Sequence, residues 1–301
     1  MYFVTTFNNN NEKTLKTGLN TRKLNPDDNY YSNPYLIQYN FCTAKFLIFY
    51  PLKYISQIID DCDKSIQFVI IPHDARVVGV SYKYVRQYRI EIKGCITANK
   101  FILSKKYSMS DVKIIEKFKI EIGYNYVTSL CESGKLNILD YLFKHNKITE
   151  YHDISLDLAS RNDHINILEW WYNSGLPLPL KCSERALELA SAKGHVNILE
   201  WWKKSGLPLE YDENVLRYAS NNKNINVLDW WLNSGLPLKY SEKILNDILV
   251  FGGIDVLRWW FNSKLLLKYP EYSQSKLNDA SVYDDPNKLS KIVRKMYNGR
   301  L

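Results

Sequence analysis

The sequence lacks paired cysteines, a long apolar run and an N-terminal signal segment. Its longest apolar run, residues 46–55, contains Pro51 and Lys53 and falls short of the roughly 20 residues of a membrane helix. No basic segment followed by an apolar one opens the chain. The five cysteines contain no C-x-x-C pair, which predicts thiols in a reducing compartment. We therefore expect a soluble, intracellular protein. The cysteines are Cys42, Cys62, Cys95, Cys131 and Cys182.

Motifs for catalysis and metal binding are also missing. The five histidines show no H-E-x-x-H or other metal-ligand spacing, and there is no glycine-rich phosphate loop or G-x-S-x-G turn. His195 is predicted to support a turn between helices. Asp60 and Asp61 are interpreted as a helix end or a solvated turn. We accordingly predict a protein that is not an enzyme, with no cofactor and no metal.

The positive charge is concentrated in the N-terminal part. The net charge is +8, and residues 1–123 carry 18 Lys and Arg against 11 Asp and Glu, whereas residues 124–301 carry 22 against 21. One basic segment alternates with tyrosines, which gives nucleic-acid binding as an alternative function. A β-hairpin with solvated charges explains the same segment, because it contains no known motif. The candidate nucleic-acid-binding residues are Arg76, Lys83, Arg86, Arg89 and Lys93.

The tryptophans reveal an internal repeat. All eight occur in four adjacent pairs, and the first members of the pairs are 31, 29 and 29 residues apart. Another 29 residues towards the N-terminus, Tyr141 and Leu142 take the paired positions. The predicted repeats, numbered 1 to 5, are 125–153, 154–184, 185–213, 214–242 and 243–271, and a degenerate capping repeat covers 272–301.

Each repeat is predicted to be two short helices joined by a turn. In repeat 3, apolar residues at helical spacing define a first helix up to Lys193 and a second helix from Val196. Gly206 and Pro208 end the second helix. Helices this short bury little surface alone, so successive repeats must stack into a mainly α helix-turn-helix solenoid.

The stretch "ALELASAKGHVNILEWWKKSG" (186–206) resembles the ankyrin repeat. The paired tryptophans and "SGLPLKYSE" links also look like the ankyrin-repeat proteins of large DNA viruses of amoebae. The resemblance implies an ankyrin-like array whose first helices line a concave binding face, in the host cytoplasm if the protein is viral. The links are shorter than in the family, so we expect its projecting β-hairpin to be truncated or absent. The matching residues are Leu187, Ala190, Gly194, His195, Ile198, Leu199, Trp202 and Gly206.

The two tryptophans of a pair must serve different roles, because adjacent helical residues diverge by about 100°. The second members follow an apolar residue by four positions, which places them on the core stripe. The first members lie on the flank, where we expect contact with the next repeat. The predicted repeat-packing residues are the core indoles Trp171, Trp202, Trp231 and Trp260 and the flank indoles Trp170, Trp201, Trp230 and Trp259.

Polar residues of the first helices are the candidate partner site. They recur at equivalent positions opposite the apolar stripe, and a merely solvated face is the alternative interpretation. The expected function is a monomeric, non-catalytic scaffold that binds protein partners, acting on host proteins if viral, without membrane contact. The candidate partner-binding residues are Asp157, Arg161, Glu188, Arg217 and Asn221.

The N-terminal part is predicted to hold three segments. Residues 1–33 are polar and are expected to form a flexible leader. Residues 34–109 contain β-branched and aromatic runs and predict a small, mostly β domain with a helix over 52–60. Residues 110–124 are expected to form a linking helix that Ser110 caps.

Overall fold

A computed structural model of the chain describes residues 2–6, 17–21, 50–51, 61–85, 90–176, 185–241, 244, 247–248, 253–263 and 265. These residues belong to two compact units. Unit 1 comprises Met1–Leu130 and Lys135–His152, and unit 2 comprises Cys131–Gly134 and Asp153–Leu301. Most of repeat 1 thus belongs to unit 1. The predicted helix over 52–60 and the capping repeat lie outside the described residues.

Unit 1 is built around antiparallel strands, as the mostly β prediction for this part requires. Six of the described strands form one sheet in the order β2-β7-β4-β1-β3, with β8 paired to β4, and β5 and β6 form a separate two-stranded sheet. The strands are β1 (Tyr2–Thr6), β2 (Gly18–Thr21), β3 (Tyr50–Pro51), β4 (Ser65–Ile70), β5 (Val77–Val85), β6 (Ile90–Ala98), β7 (Lys100–Leu103) and β8 (Tyr107–Ser108).

Two strands lie inside the predicted leader, so the expectation of a flexible segment over 1–33 is wrong for them. β1 lies between β3 and β4, and β2 pairs with β7. Residues 2–4 are Tyr, Phe and Val, types that favour strands. The asparagine-rich run that follows them suggested disorder, but the sheet supplies β1 with a partner on each side.

Apolar residues from several strands make the core of unit 1. Val69, Ala98, Phe101 and Leu103 form one buried cluster. On β4, Phe68 packs against two further aromatic rings, Tyr107 at 5.6 Å and Phe118 at 4.2 Å between centroids. The second ring follows a short helix, α1 (Val112–Lys117), which is therefore anchored to the sheet.

The cap of α1 differs by one residue from the prediction. Asp111 is the N-cap, and its side chain accepts a hydrogen bond from the backbone N–H of Lys113. Ser110 instead donates its hydroxyl to the carbonyl of Cys62 at 2.7 Å. An aspartate caps a helix as well as a serine does, so sequence alone does not choose between neighbours.

The helices after α1 alternate as the repeat predicts, and the mainly α assignment of this region is confirmed. Repeat 1 contains α2 (Tyr124–Glu132) and α3 (Leu136–Lys144). Neighbouring first helices pack together in unit 2, α4 with α6 and α6 with α8. The remaining helices are α4 (Ile154–Arg161), α5 (Ile165–Asn173), α6 (Arg185–Lys193), α7 (Val196–Lys204), α8 (Asn214–Asn221), α9 (Ile225–Asn233) and α10 (Gly253–Asn262).

The turn between the two helices of a repeat needs a left-handed residue. Repeats 1 and 3 use glycine there, Gly134 and Gly194, with φ of 66° and 86°. Repeats 2 and 4 place Asp163 and Lys223 in the same conformation, each with φ of 61°. A residue with a side chain is strained in this region relative to glycine, so the backbone of these two turns is locally destabilised.

The links between repeats contain no projecting hairpin where the structure describes them. Residues 145–153, 206–212 and 235–241 contain no strand. In two of these links a tyrosine packs instead on a buried indole of the following repeat. Tyr211 lies 4.9 Å from Trp231 and Tyr240 lies 5.6 Å from Trp260, between ring centroids. Among the described residues, no helix has the length and hydropathy needed to cross a membrane.

Candidate interaction surfaces of the helical repeats

The core indoles are the largest side chains inside unit 2. Their exposed fraction is at most 2% in every case. Each core indole meets the flank indole of its own pair edge to face, with centroids 5.0 to 5.4 Å apart. Such a contact adds about 0.5–1.5 kcal/mol to the effect of burial. The pair therefore gives each second helix both a buried anchor and a half-buried aromatic flank.

Every core indole donates its N–H to the first helix of the preceding repeat. Trp202 donates to the hydroxyl of Ser160 and Trp231 to that of Ser191, both at 3.0 Å. Trp260 donates to Ser220 at 2.9 Å. In each case both partners are buried. These bonds satisfy a polar atom that would otherwise be desolvated without a partner, so they constrain how adjacent repeats stack.

The acceptor of this ladder changes to sulfur at its N-terminal end. Trp171 donates to Sγ of Cys131 at 3.4 Å. Cys131 stands in the position that serine holds in the following repeats. The sequence does indicate these serine acceptors, because the dipeptide Ala-Ser recurs near the end of α4, α6 and α8. Counting those serines only as small residues missed their role as acceptors.

A second ladder joins the inter-helix turns. His164 Nε2 lies 3.0 Å from the carbonyl oxygen of Glu132, and His195 Nε2 lies 2.9 Å from that of Arg161. In repeat 4 an asparagine, Asn224, replaces histidine and donates to two backbone carbonyls of the preceding repeat. The position needs a donor that reaches the end of the previous first helix, which explains why both residue types occupy it.

Flank indoles contact carboxylates on the preceding second helix. Trp230 donates to Oε2 of Glu200 at 2.9 Å, and Trp259 donates to Oδ1 of Asp229 at 2.6 Å. These N–H groups reach towards the preceding repeat, which reverses the predicted direction. The hydrogen bond from Trp230 is the main reason why the pKa of Glu200 is lowered, with Lys204 adding to the effect.

On the first helices, polar contacts cross from one repeat to the next. Asn214 of α8 donates to Oε1 of Glu188 on α6 at 3.2 Å. Arg217 donates through Nε to Asp247 of repeat 5, and this bond raises the pKa of Arg217. Two of the predicted partner-binding residues therefore also hold neighbouring repeats together.

The predicted partner site needs one correction. The side chain of Asp157 is buried, with only 2% exposed, because it lies on the inner side of α4. It is therefore no part of the surface. Arg161 and Asn221 are half-buried, and Oδ1 of Asn221 is itself buried, with no hydrogen-bond partner among the described residues. The helical spacing that grouped these residues did not distinguish the edge of the stripe from the solvent side.

Half-buried apolar residues accompany the polar ones. Leu158, Leu189 and Tyr218 take equivalent positions on α4, α6 and α8, and each is partly exposed. In the sequence, each of them directly follows one of the candidate partner-binding residues Asp157, Glu188 and Arg217. The first helices thus present a row of partly exposed apolar groups, beside which Glu188 and Arg217 are partly exposed and Asp157 is buried.

The basic N-terminal residues are only partly described. Arg76 is exposed in the turn before β5, and its backbone N–H donates to the side chain of Asn99 at 2.7 Å. Lys83 lies in β5 and Lys93 in β6. Arg86 and Arg89 lie outside the described residues.

One group of potential metal ligands occurs among the described residues. The ligand atoms of Asp61, Cys62 and Asp63 lie within 4.8 Å of one another. Asp61 accepts a hydrogen bond from the backbone of Asp63, and the thiol of Cys62 contacts the carbonyl of Ser129 at 3.8 Å. These contacts account for the group as a turn packed on α2. Asp60, for which a helix end or a solvated turn was predicted together with Asp61, lies outside the described residues.

Comparison with known proteins gives one partial similarity. No family model matches the chain. An uncharacterized protein of Acanthamoeba polyphaga mimivirus is 31% identical to it over 156 residues, which are 50% of this chain and 41% of that protein. The chain thus spans less than half the length of the relative it matches. It is a distant, partial homologue of a viral protein.

Proposed function

We propose that the protein is a non-catalytic scaffold that binds partner proteins through the first-helix face of an ankyrin-like array. The repeated pairs of helices support this proposal. The single observation that carries it is the row of partly exposed apolar residues on α4, α6 and α8. A face that only contacts solvent does not require apolar residues at the same position of three helices.

The geometry suits recognition because the row is held firmly. Asn214 bonded to Glu188 and Arg217 bonded to Asp247 fix neighbouring first helices in place. A partner then meets a preorganised surface and loses less conformational entropy on binding. The proposed surface consists of Leu158, Arg161, Glu188, Leu189, Arg217 and Tyr218.

Capture from a lysate of Acanthamoeba tests the proposal, since the viral relative comes from a virus of that host genus. The full-length protein is compared with the double variant Arg161→Glu and Leu189→Ser, which changes the first-helix face. Lys203→Glu, an equal charge reversal on the exposed side of α7, serves as the control. Circular dichroism and thermal unfolding check that all variants remain folded.

We expect proteins that the wild type and the Lys203 variant retain and the double variant loses. Retention of the same proteins by all three would contradict the proposal. The nucleic-acid alternative would be favoured instead if the protein binds DNA or RNA with an affinity that falls steeply with salt and is the same in all these variants.

A further inference from the structure

The second helices carry a surface of their own, distinct from the first-helix face. We call it the aromatic–acidic strip, and it consists of the flank indoles Trp170, Trp201, Trp230 and Trp259 with the carboxylates Glu169, Glu200 and Asp229. The flank indoles are all half-buried, so part of each ring is accessible. Tyr172, 48% exposed, extends the strip and meets Trp201 edge to face at 6.1 Å.

Two of the carboxylates are held in place by the next repeat. The indole N–H of Trp230 fixes Glu200, and that of Trp259 fixes Asp229. Each bond occupies one carboxylate oxygen. For Asp229, no hydrogen bond or ion pair with its other oxygen occurs among the residues that the structure describes. A carboxylate that is already oriented needs little rearrangement to accept a cation.

Lys204 shows how a cation sits on the strip. Its Nζ lies 3.0 Å from Oε1 of Glu200, one turn away on α7. The equivalent residues of α5 and α9 are asparagines, Asn173 and Asn233, which donate to backbone carbonyls rather than to the carboxylates. Within the described part of the chain, Glu169 and Asp229 therefore lack the cation that Glu200 has.

We propose that the aromatic–acidic strip binds an extended, basic segment of a partner protein. Cationic side chains of the segment occupy Glu169 and Asp229 in the way that Lys204 occupies Glu200. Their aliphatic stems and charged heads lie against the adjacent indole rings, which attract cations. This binding site goes beyond the first-helix face and does not depend on it.

The spacing of the repeats specifies the segment. Packed helices lie about 8–10 Å apart, so carboxylates two repeats apart are about 16–20 Å apart. An extended chain advances about 3.3 Å per residue. The two cations must therefore stand about six residues apart, with both side chains on the same side of the extended segment, which its alternation of two residues permits.

Synthetic peptides test this spacing. The probe is a fluorescein-labelled 13-residue peptide of serine and glutamine with two arginines six residues apart. A peptide of the same composition with adjacent arginines is the reference. Fluorescence anisotropy with the full-length protein at low ionic strength measures both affinities. We expect the spaced peptide to bind several-fold more tightly, because only it reaches both carboxylates at once.

Isosteric variants test the residues. Glu169→Gln and Asp229→Asn remove the charges, and the asparagine keeps an oxygen for the bond from Trp259. Each should weaken the spaced peptide about two- to fivefold, and the pair about tenfold, the range of exposed ion pairs. Glu210→Gln removes one charge from an exposed link residue and should change the affinity less than twofold.

Lys204 provides the sharpest comparison. Lys204→Gln removes a positive charge and its ion pair with Glu200 from between the two occupied carboxylates, and should tighten binding of the spaced peptide about twofold. Lys203→Gln causes the same change in net charge, but Lys203 lies about 100° around α7 from Lys204, so the change should tighten binding less than Lys204→Gln does. Equal effects of the two lysine variants, equal binding of the two peptides, or unchanged binding by the double carboxylate variant would each overturn the proposal.

Discussion

Replacing Ser191 with alanine should destabilise the helical repeats measurably. The side chains of Ser191 and Trp231 are both fully buried, and their hydrogen bond is 3.0 Å long. Alanine leaves the indole N–H of Trp231 desolvated with no acceptor, a loss of about 1–3 kcal/mol. For a domain of this size, each kcal/mol lowers the melting temperature by about 2–4 °C.

The assay is urea unfolding followed by far-ultraviolet circular dichroism, with the midpoint and slope fitted separately. Ser191→Cys is the matched control, because Cys131 already accepts the equivalent bond from Trp171. We expect the cysteine variant to lose less stability than the alanine variant. A loss of under about 0.5 kcal/mol in the alanine variant, which is the spread of ordinary surface substitutions, would show that the N–H of Trp231 does not depend on this acceptor.

Three further changes probe other parts of the array. Trp202→Ala should cost about 3–5 kcal/mol, measured by urea unfolding, and a loss below about 1 kcal/mol would argue against burial of the ring. Lys223→Gly should add about 0.5–1 kcal/mol by relieving the left-handed turn, and no gain in melting temperature would contradict this. Glu200→Gln should be less stable than the wild type at neutral pH. Because the folded-state pKa of Glu200 is lowered, its contribution is present above the ordinary value of about 4.3 and is lost as the pH falls through the folded value. The two proteins should therefore become equal in strong acid, and a difference that persists there would count against the ionic contribution.

Periodicity carried most of the successful predictions. The spacing of the tryptophan pairs located the second helices of repeats 2 to 5, because each of these helices is buried through the same indole position. Gly206 has the positive φ expected of a residue that ends a helix. Runs of β-branched and aromatic residues predicted the strands β4, β6 and β7. These features are local, so a single stretch of sequence contains enough information to indicate them.

The missed features depend on neighbours that lie far apart in the sequence. Ser191 reads as a small residue until Trp231, in the following repeat, is placed against it. Asp157 reads as a solvent-exposed residue until the packing of α4 buries it. β1 looks like part of a polar leader until β3 and β4 pair with it. In each case tertiary contacts determined the outcome, and no local pattern encodes them.

Exchange of the indole N–H groups tests most directly whether buried tryptophans join the repeats. The protein is labelled with ¹⁵N at tryptophan, and loss of the indole signals is followed by NMR after transfer to deuterated water. We expect slow exchange for the indole N–H groups of Trp171, Trp202, Trp231 and Trp260, and faster exchange for those of the half-buried flank indoles. Rapid loss of all the indole signals from the folded protein would contradict it.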